Sequence, residues 1–144
     1  MNGNVTACGK TSGGVVLPLQ VNSSGQLVVA GNLAWYSTLS AKTADYTVTA
    51  TDARAKVFHN TGAAGTVIFT LPAASAGLRV TFIVTAAQIL NIKTGTTDTI
   101  RVAASVSTAT TGSVQASTIG NALTLVCIGT QWVAESSVGT WTVA

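Results

Sequence analysis

The sequence predicts an all-β protein: an antiparallel β-sandwich of jelly-roll type, or a barrel, preceded by an extended N-terminal arm or hairpin. Three observations carry this expectation. Short runs rich in Val, Thr, Ile and aromatic residues recur at spacings of roughly 8–12 residues, with Gly- and Asn-containing turn signals between them. Inside those runs apolar and hydroxyl side chains alternate, as in Tyr46-Thr-Val-Thr-Ala, which is the period of a half-buried strand. Charge is scarce, with seven Lys and Arg and four Asp and Glu in 144 residues, and the hydrophobic content of 47% is too high for a disordered chain.

The elements follow in order. Residues 1–14 are rich in Gly, Asn, Ser and Thr and read as a flexible leader. An apolar run over 15–21, a polar Gly-containing stretch over 22–26 and a second run over 27–30 predict a hairpin. Pro18 cannot donate a ladder hydrogen bond, so its strand is expected at an edge or extended against another surface. A lone two-stranded hairpin is marginal in water. The arm, with Val15, Val16, Leu17, Pro18, Leu19, Val21, Leu27, Val28 and Val29 as its apolar positions, is therefore expected to need a partner surface.

Trp35 and Tyr36 stand at the join between a leader-and-arm segment, 1–34, and a body, 35–144. In the body, alternation predicts strands over 46–50, 56–59, 66–71 and 77–85, the last with Leu78, Val80, Phe82 and Val84 on one face. Shorter strands are expected over 89–93, 99–103, 114–117, 122–128, 132–135 and 140–143. Only 73–77 and 86–88 have the composition for a helical turn.

The residues that carry chemistry are few and dispersed. His59 is the only histidine and no G-x-S-x-G elbow accompanies it, so it is expected to hydrogen-bond locally at a strand end. A glycosidase pair would have to come from Asp45, Asp52, Asp98 and Glu135, which lie in separate segments. Gly9-Lys10-Thr11 lacks the leading glycine of a phosphate loop, since position 4 is Asn4. Asp98 beside Thr96 and Thr97 lacks the clustered oxygens that calcium requires. Two cysteines and one histidine do not make a structural zinc site, and Cys127, inside Leu-Thr-Leu-Val-Cys-Ile, reads as a small buried hydrophobe. No metal, cofactor or catalytic residue is expected.

The seven cations are scattered rather than striped, which argues against nucleic acid. The apolar run at 78–87 is interrupted by Arg79, Thr81 and Thr85, which argues against a membrane-spanning helix. The opening residues lack the basic and apolar regions of a secretory signal, so synthesis in a cytoplasm is expected. Trp132 reads as a core residue, Trp35 and Tyr36 read either as core residues or as anchors of a subunit interface, and Trp141, which must dock somewhere, is a further anchor candidate.

The order Tyr46-Thr-Val-Thr-Ala, Val57-Phe-His-Asn-Thr-Gly-Ala-Ala-Gly, Phe69-Thr-Leu-Pro-Ala-Ala and Gly77-Leu-Arg-Val-Thr-Phe-Ile-Val resembles a β-domain of tailed-phage virion proteins. So does the ending, Leu123-Thr-Leu-Val-Cys, Gln131-Trp-Val-Ala and Ser137-Val-Gly-Thr-Trp-Thr. The run from Val16 to Val29 resembles the N-terminal segments of capsid decoration (cement) and head-fibre proteins. The resemblance implies a non-enzymatic virion component on the capsid surface, commonly a homotrimer, whose arm binds the major capsid protein and stabilises the head. The alternatives are a tail-fibre or receptor-binding module that recognises a host glycan or protein, and, last, a small glycan hydrolase.

Overall fold

A computed structural model of the chain describes residues 7–10, 16–21, 27–28 and 37–144. The chain divides into two compact units, Met1–Tyr36 and Ser37–Ala144. The candidate residues Val15, Val29, Trp35 and Tyr36 lie outside the described residues.

The first unit holds a three-stranded sheet of β1 (Ala7–Lys10), β2 (Val16–Val21) and β3 (Leu27–Val28), in that order. The expected hairpin forms, with Gln20 opposite Val28 and Val21 opposite Leu27. The flexible leader expected over 1–14 does not hold at Ala7–Lys10, which pairs antiparallel with β2 from Ala7 opposite Leu19 to Lys10 opposite Val16. A third strand supplies the pairing that a two-stranded hairpin lacks. Pro18 accordingly sits in the middle strand, not at an edge. Among the described residues its ladder partner is Cys8 of β1.

The second unit is an all-β sandwich, with no helix among the described residues and hence none long and apolar enough to cross a membrane. Its strands are β4 (Leu39–Ala41), β5 (Tyr46–Thr47), β6 (Arg54–His59), β7 (Val67–Leu71), β8 (Arg79–Ile83), β9 (Leu90–Thr94), β10 (Thr99–Val102), β11 (Ser105–Val106), β12 (Ser113–Ala116), β13 (Ala122–Cys127), β14 (Gln131–Val138) and β15 (Thr142–Val143). They form a seven-stranded sheet, β11-β10-β14-β13-β8-β6-β4, and a five-stranded sheet, β15-β12-β9-β7-β5. No closed barrel is found among the described residues.

The antiparallel pairing expected of the sandwich is only partly right, because both sheets are mixed. From β4 to β10 each strand belongs to the sheet opposite its predecessor. Two crossings restore the original direction, so β4, β6 and β8 pair parallel in one sheet and β5, β7 and β9 pair parallel in the other. The chain is wound here as a flattened coil. Antiparallel pairs enter with the β10–β11 and β13–β14 hairpins and where β13 closes against β8. Alternation along one strand fixes which residues face inward, but it does not say which sheet the next strand joins.

Alternation itself is clear where strands are long. In β7 Val67, Phe69 and Leu71 are buried and Ile68 and Thr70 are half-buried. The strand expected over 46–50 is cut to Tyr46–Thr47, because the chain then makes a helical turn in which the Ala53 amide bonds to the Thr49 carbonyl at 3.0 Å. The helical turns expected at 73–77 and 86–88 are bends and tight turns instead.

Tyr46, Phe58, Phe69 and Phe82 fill the space between the coiled strands. Phe58 and Phe82 are register partners in one sheet, and Tyr46 and Phe69 in the other. Ring centroids lie 5.3 Å apart for Tyr46–Phe58, 5.3 Å for Phe58–Phe69, 5.9 Å for Phe58–Phe82 and 5.1 Å for Phe69–Phe82. These are favourable tilted and stacked separations, and they join successive turns of the coil across both sheets. Trp132, Ile100, Leu123, Leu125 and the free thiol of Cys127 continue the core. Phe82→Ala is expected to cost about 3–5 kcal/mol, read as a lowered urea midpoint, because the rigid coil leaves a cavity that neighbouring rings cannot fill.

Candidate functional site

The four acids of the chain all bond to neighbouring parts of the body. Asp52 closes the turn after β5: its Oδ2 accepts from the Thr49 amide at 3.0 Å, the Thr49 hydroxyl at 2.9 Å and the Tyr46 hydroxyl at 2.9 Å. In return the Asp52 amide donates to Thr49 Oγ1 at 3.1 Å, the reciprocal arrangement of a capping box built on a single turn. Lys56 donates to Asp52 Oδ1 at 2.5 Å, and the Lys42 ammonium lies 3.6 Å from the Tyr46 ring centroid. Asp45 Oδ1 accepts from the Ile68 amide at 2.9 Å. Asp98 Oδ2 accepts from the Ala74 amide at 2.8 Å and from the Thr96 hydroxyl. Glu135 pairs with Arg79 at 2.7 Å. Each acid serves a different turn or strand pair.

The histidine behaves as expected of a strand-end residue. Its Nδ1 lies 2.8 Å from Thr61 Oγ1, which donates to Thr85 Oγ1 at 2.8 Å. Beside it, buried Asn60 binds the loop after β8: Oδ1 accepts from the Thr85 and Ala86 amides, and Nδ2 donates to the Ala86 and Gln88 carbonyls. Among the described residues no group of His, Cys, Asp and Glu is placed to hold a metal ion.

Trp141, expected as a subunit anchor, is taken up by the body of its own chain. Its ring is buried in the core, and Nε1 lies 3.2 Å from both the Ala122 and Val138 carbonyls. The tight turn before it depends on Gly139, which has φ +75° and lies so close to Asn121 Oδ1 that a Cβ would collide with it. Asn121 in turn donates to the Thr140 carbonyl at 2.8 Å. Of the arm, Val16, Leu17, Pro18, Leu19 and Val21 lie in β2, and Leu27 and Val28 in β3.

The outward faces of the two sheets differ in chemistry. On the five-stranded sheet the register sets Thr47, Thr70, Lys93 and Ser113 in one row and Ile68, Asn91, Gln115 and Thr142 in the next. Asn91 donates to Gln115 Oε1 at 3.1 Å along that hydroxyl and amide surface. On the seven-stranded sheet one row is Ala41, His59, Ile83, Ala122 and Val138, and the next is Leu39, Val57, Thr81, Thr124 and Ser136. A third row runs Arg54, Arg79, Val126, Val133, Arg101 and Val106. Leu39 is 72% exposed and Val138 59%. Sequence reasoning missed this surface. The signal was aliphatic residues at the solvent-facing positions of the strands, such as Ile83, Val126 and Val133, where an exposed sheet face would carry charge.

A comparison with protein families finds none that matches the sequence, and a comparison with curated proteins finds none either.

The Asp52 cluster gives the molecule a pH dependence at both ends of the scale. Burial works against the charged form of Asp52, yet hydrogen bonds from Lys56, Thr49 and Tyr46 outweigh it and hold the carboxyl well below the usual carboxylate range. Stability from this group is therefore present above the ordinary aspartate value of about 4 and is lost as pH falls toward the folded value. The bond to Asp52, then burial and the carboxylate charge, raise the Tyr46 hydroxyl above its ordinary value. Its contribution is intact below about pH 10 and is lost as pH rises through the raised value. Asp52→Asn is expected to cost about 1–3 kcal/mol at neutral pH and to flatten the acid limb of a melting-temperature profile. Tyr46→Phe is expected to flatten the alkaline limb.

Proposed function

We propose that this chain is a non-enzymatic capsid decoration (cement) protein of a tailed phage, working as a homotrimer on the virion surface. The N-terminal unit attaches it to the assembled major-capsid lattice, and the sandwich projects from the shell. The observation that carries this reading is the division of labour between the two units. Every acid and the histidine of the sandwich are tied into bonds that hold its turns and strands, while a separate strand unit precedes it with Lys10 as its single charge. A surface so poor in charge suits attachment through apolar contact and strand pairing, and it gives electrostatic steering little to act on.

The reading is tested by mixing the full chain with undecorated phage heads and sedimenting them. The chain is expected to pellet with the heads. Leu17→Asp with Leu19→Asp in β2 is expected to abolish pelleting without altering the melting of the sandwich. Binding to tail components or to host glycans, with none to heads, would overturn the proposal.

A further inference from the structure

We propose that residues 140–144 form a strap that opens as a unit while the sandwich around it stays folded, and that the loop between β11 and β12 is the clasp that sets how often it opens. The strap leaves β14 in the seven-stranded sheet, turns at Gly139 and lies along the outer edge of β12 in the five-stranded sheet. Its ladder is two residues long, with Thr142 opposite Gln115 and Val143 opposite Val114. Trp141 is its buried anchor, whereas Thr140, Thr142 and Ala144 are exposed.

The clasp is made of backbone. The Thr108 amide donates to the Ala144 carbonyl oxygen at 3.0 Å and the Ser113 amide to the same oxygen at 3.2 Å, while the Ala144 amide donates to the Ser113 carbonyl at 2.9 Å. Two amides at opposite ends of the loop converge on one acceptor because the chain between them doubles back at Thr110. There φ is +69° and the Thr111 amide donates to the Ala109 carbonyl at 2.8 Å, which is the γ-turn of positive central φ, the rare and strained kind. A β-branched residue is poorly suited to that conformation. The Gly112 amide then closes on the Thr108 carbonyl at 2.9 Å. Gly112 lies so close to the Ala144 oxygen and to the Thr108 backbone that a Cβ would collide with both.

Strain of this kind persists only where the surroundings over-determine it. The strap is the neighbour that does so. When Ala144 leaves, Thr108 and Ser113 lose their shared acceptor and Thr110 is free to relax, so closing the strap loads the loop and opening it releases the load. The start of the loop stays anchored in either state, because the buried Ser107 donates its amide to the Ile100 carbonyl at 2.8 Å and accepts the Ile100 amide on Oγ at 2.9 Å. A short segment at a sheet edge, with few buried contacts, belongs to the low-stability end of a fold. Its opening changes the end of the five-stranded sheet from the two-residue β15 to the four-residue β12.

The inference does not rest on capsid attachment. The test is native-state hydrogen exchange of the full chain, read amide by amide by NMR. Thr108, Ser113 and Ala144 are expected to share one protection factor, lower than those of Cys127 and Arg79, whose amides bond to the Leu78 and Ala53 carbonyls. Gly112→Ala is expected to lower the shared value about tenfold and to leave Cys127 and Arg79 unchanged. Thr110→Asn, which enters positive φ more readily than threonine, is expected to raise it about threefold. Thr110 is exposed, so this variant decides the matter should Gly112→Ala fail to fold. Clasp amides that exchange only together with Cys127 and Arg79, or clasp protection left unchanged in either folded variant, would overturn the proposal.

Discussion

The contact between Phe58 and Phe82, with Tyr46 and Phe69 leaning on them from the opposite sheet, is the constraint on which the rest of the sandwich depends. In a chain that changes sheet at every strand from β4 to β10, sequence neighbours do not share a ladder. Each parallel pair must wait for the chain to cross the sandwich and return, which carries the closure entropy of a long loop. Aromatic rings at corresponding places in successive turns of the coil repay that cost by packing between layers and along them at once. Aliphatic side chains in the same places would bury less area and reach fewer neighbours.

The scarcity of charge follows from how the turns are built. A flattened coil needs a tight connection at each crossing, and each connection leaves backbone amides without ladder partners. Asp52, Asp45 and Asp98 accept from the amides of Thr49, Ile68 and Ala74, and Asn60 does the same for Thr85 and Ala86. These three acids thus act as structural acceptors at loops, Lys56 pairs with Asp52, and Arg79 pairs with Glu135 of β14.

The strands were legible where a long alternating run fell between clear turn signals, as in Val67–Leu71 and Arg79–Ile83, because period two reports one buried face directly. The pairing was not, since burial constrains the side a residue faces and says nothing about the neighbouring strand. At Val48–Ala50 the alternation of 46–50 suggests a continuing strand, although Thr49 and Asp52, three residues apart, also spell a capping box. Trp141 was misjudged for a different reason. Its place near the end of the sequence made it a candidate interface anchor, and the Gly139 turn, whose φ of +75° is invisible in composition, lets its ring nitrogen reach the Val138 and Ala122 carbonyls of its own chain. The outer face of the seven-stranded sheet escaped notice because no single strand reveals it. It emerges only when the register aligns Ile83 with Ala122 and Val126 with Val133.

A β-protein with so few charges still has to keep its sheet edges from pairing at random, and lysines along the edges are the usual device. This sandwich limits edge length instead. Its outermost strands are Leu39–Ala41 and Ser105–Val106 in one sheet and Tyr46–Thr47 and Thr142–Val143 in the other, each too short to offer a long ladder to a neighbour. Ladder pairing between bodies is thereby weak. Edge pairing would leave a free edge at each end and could continue without limit.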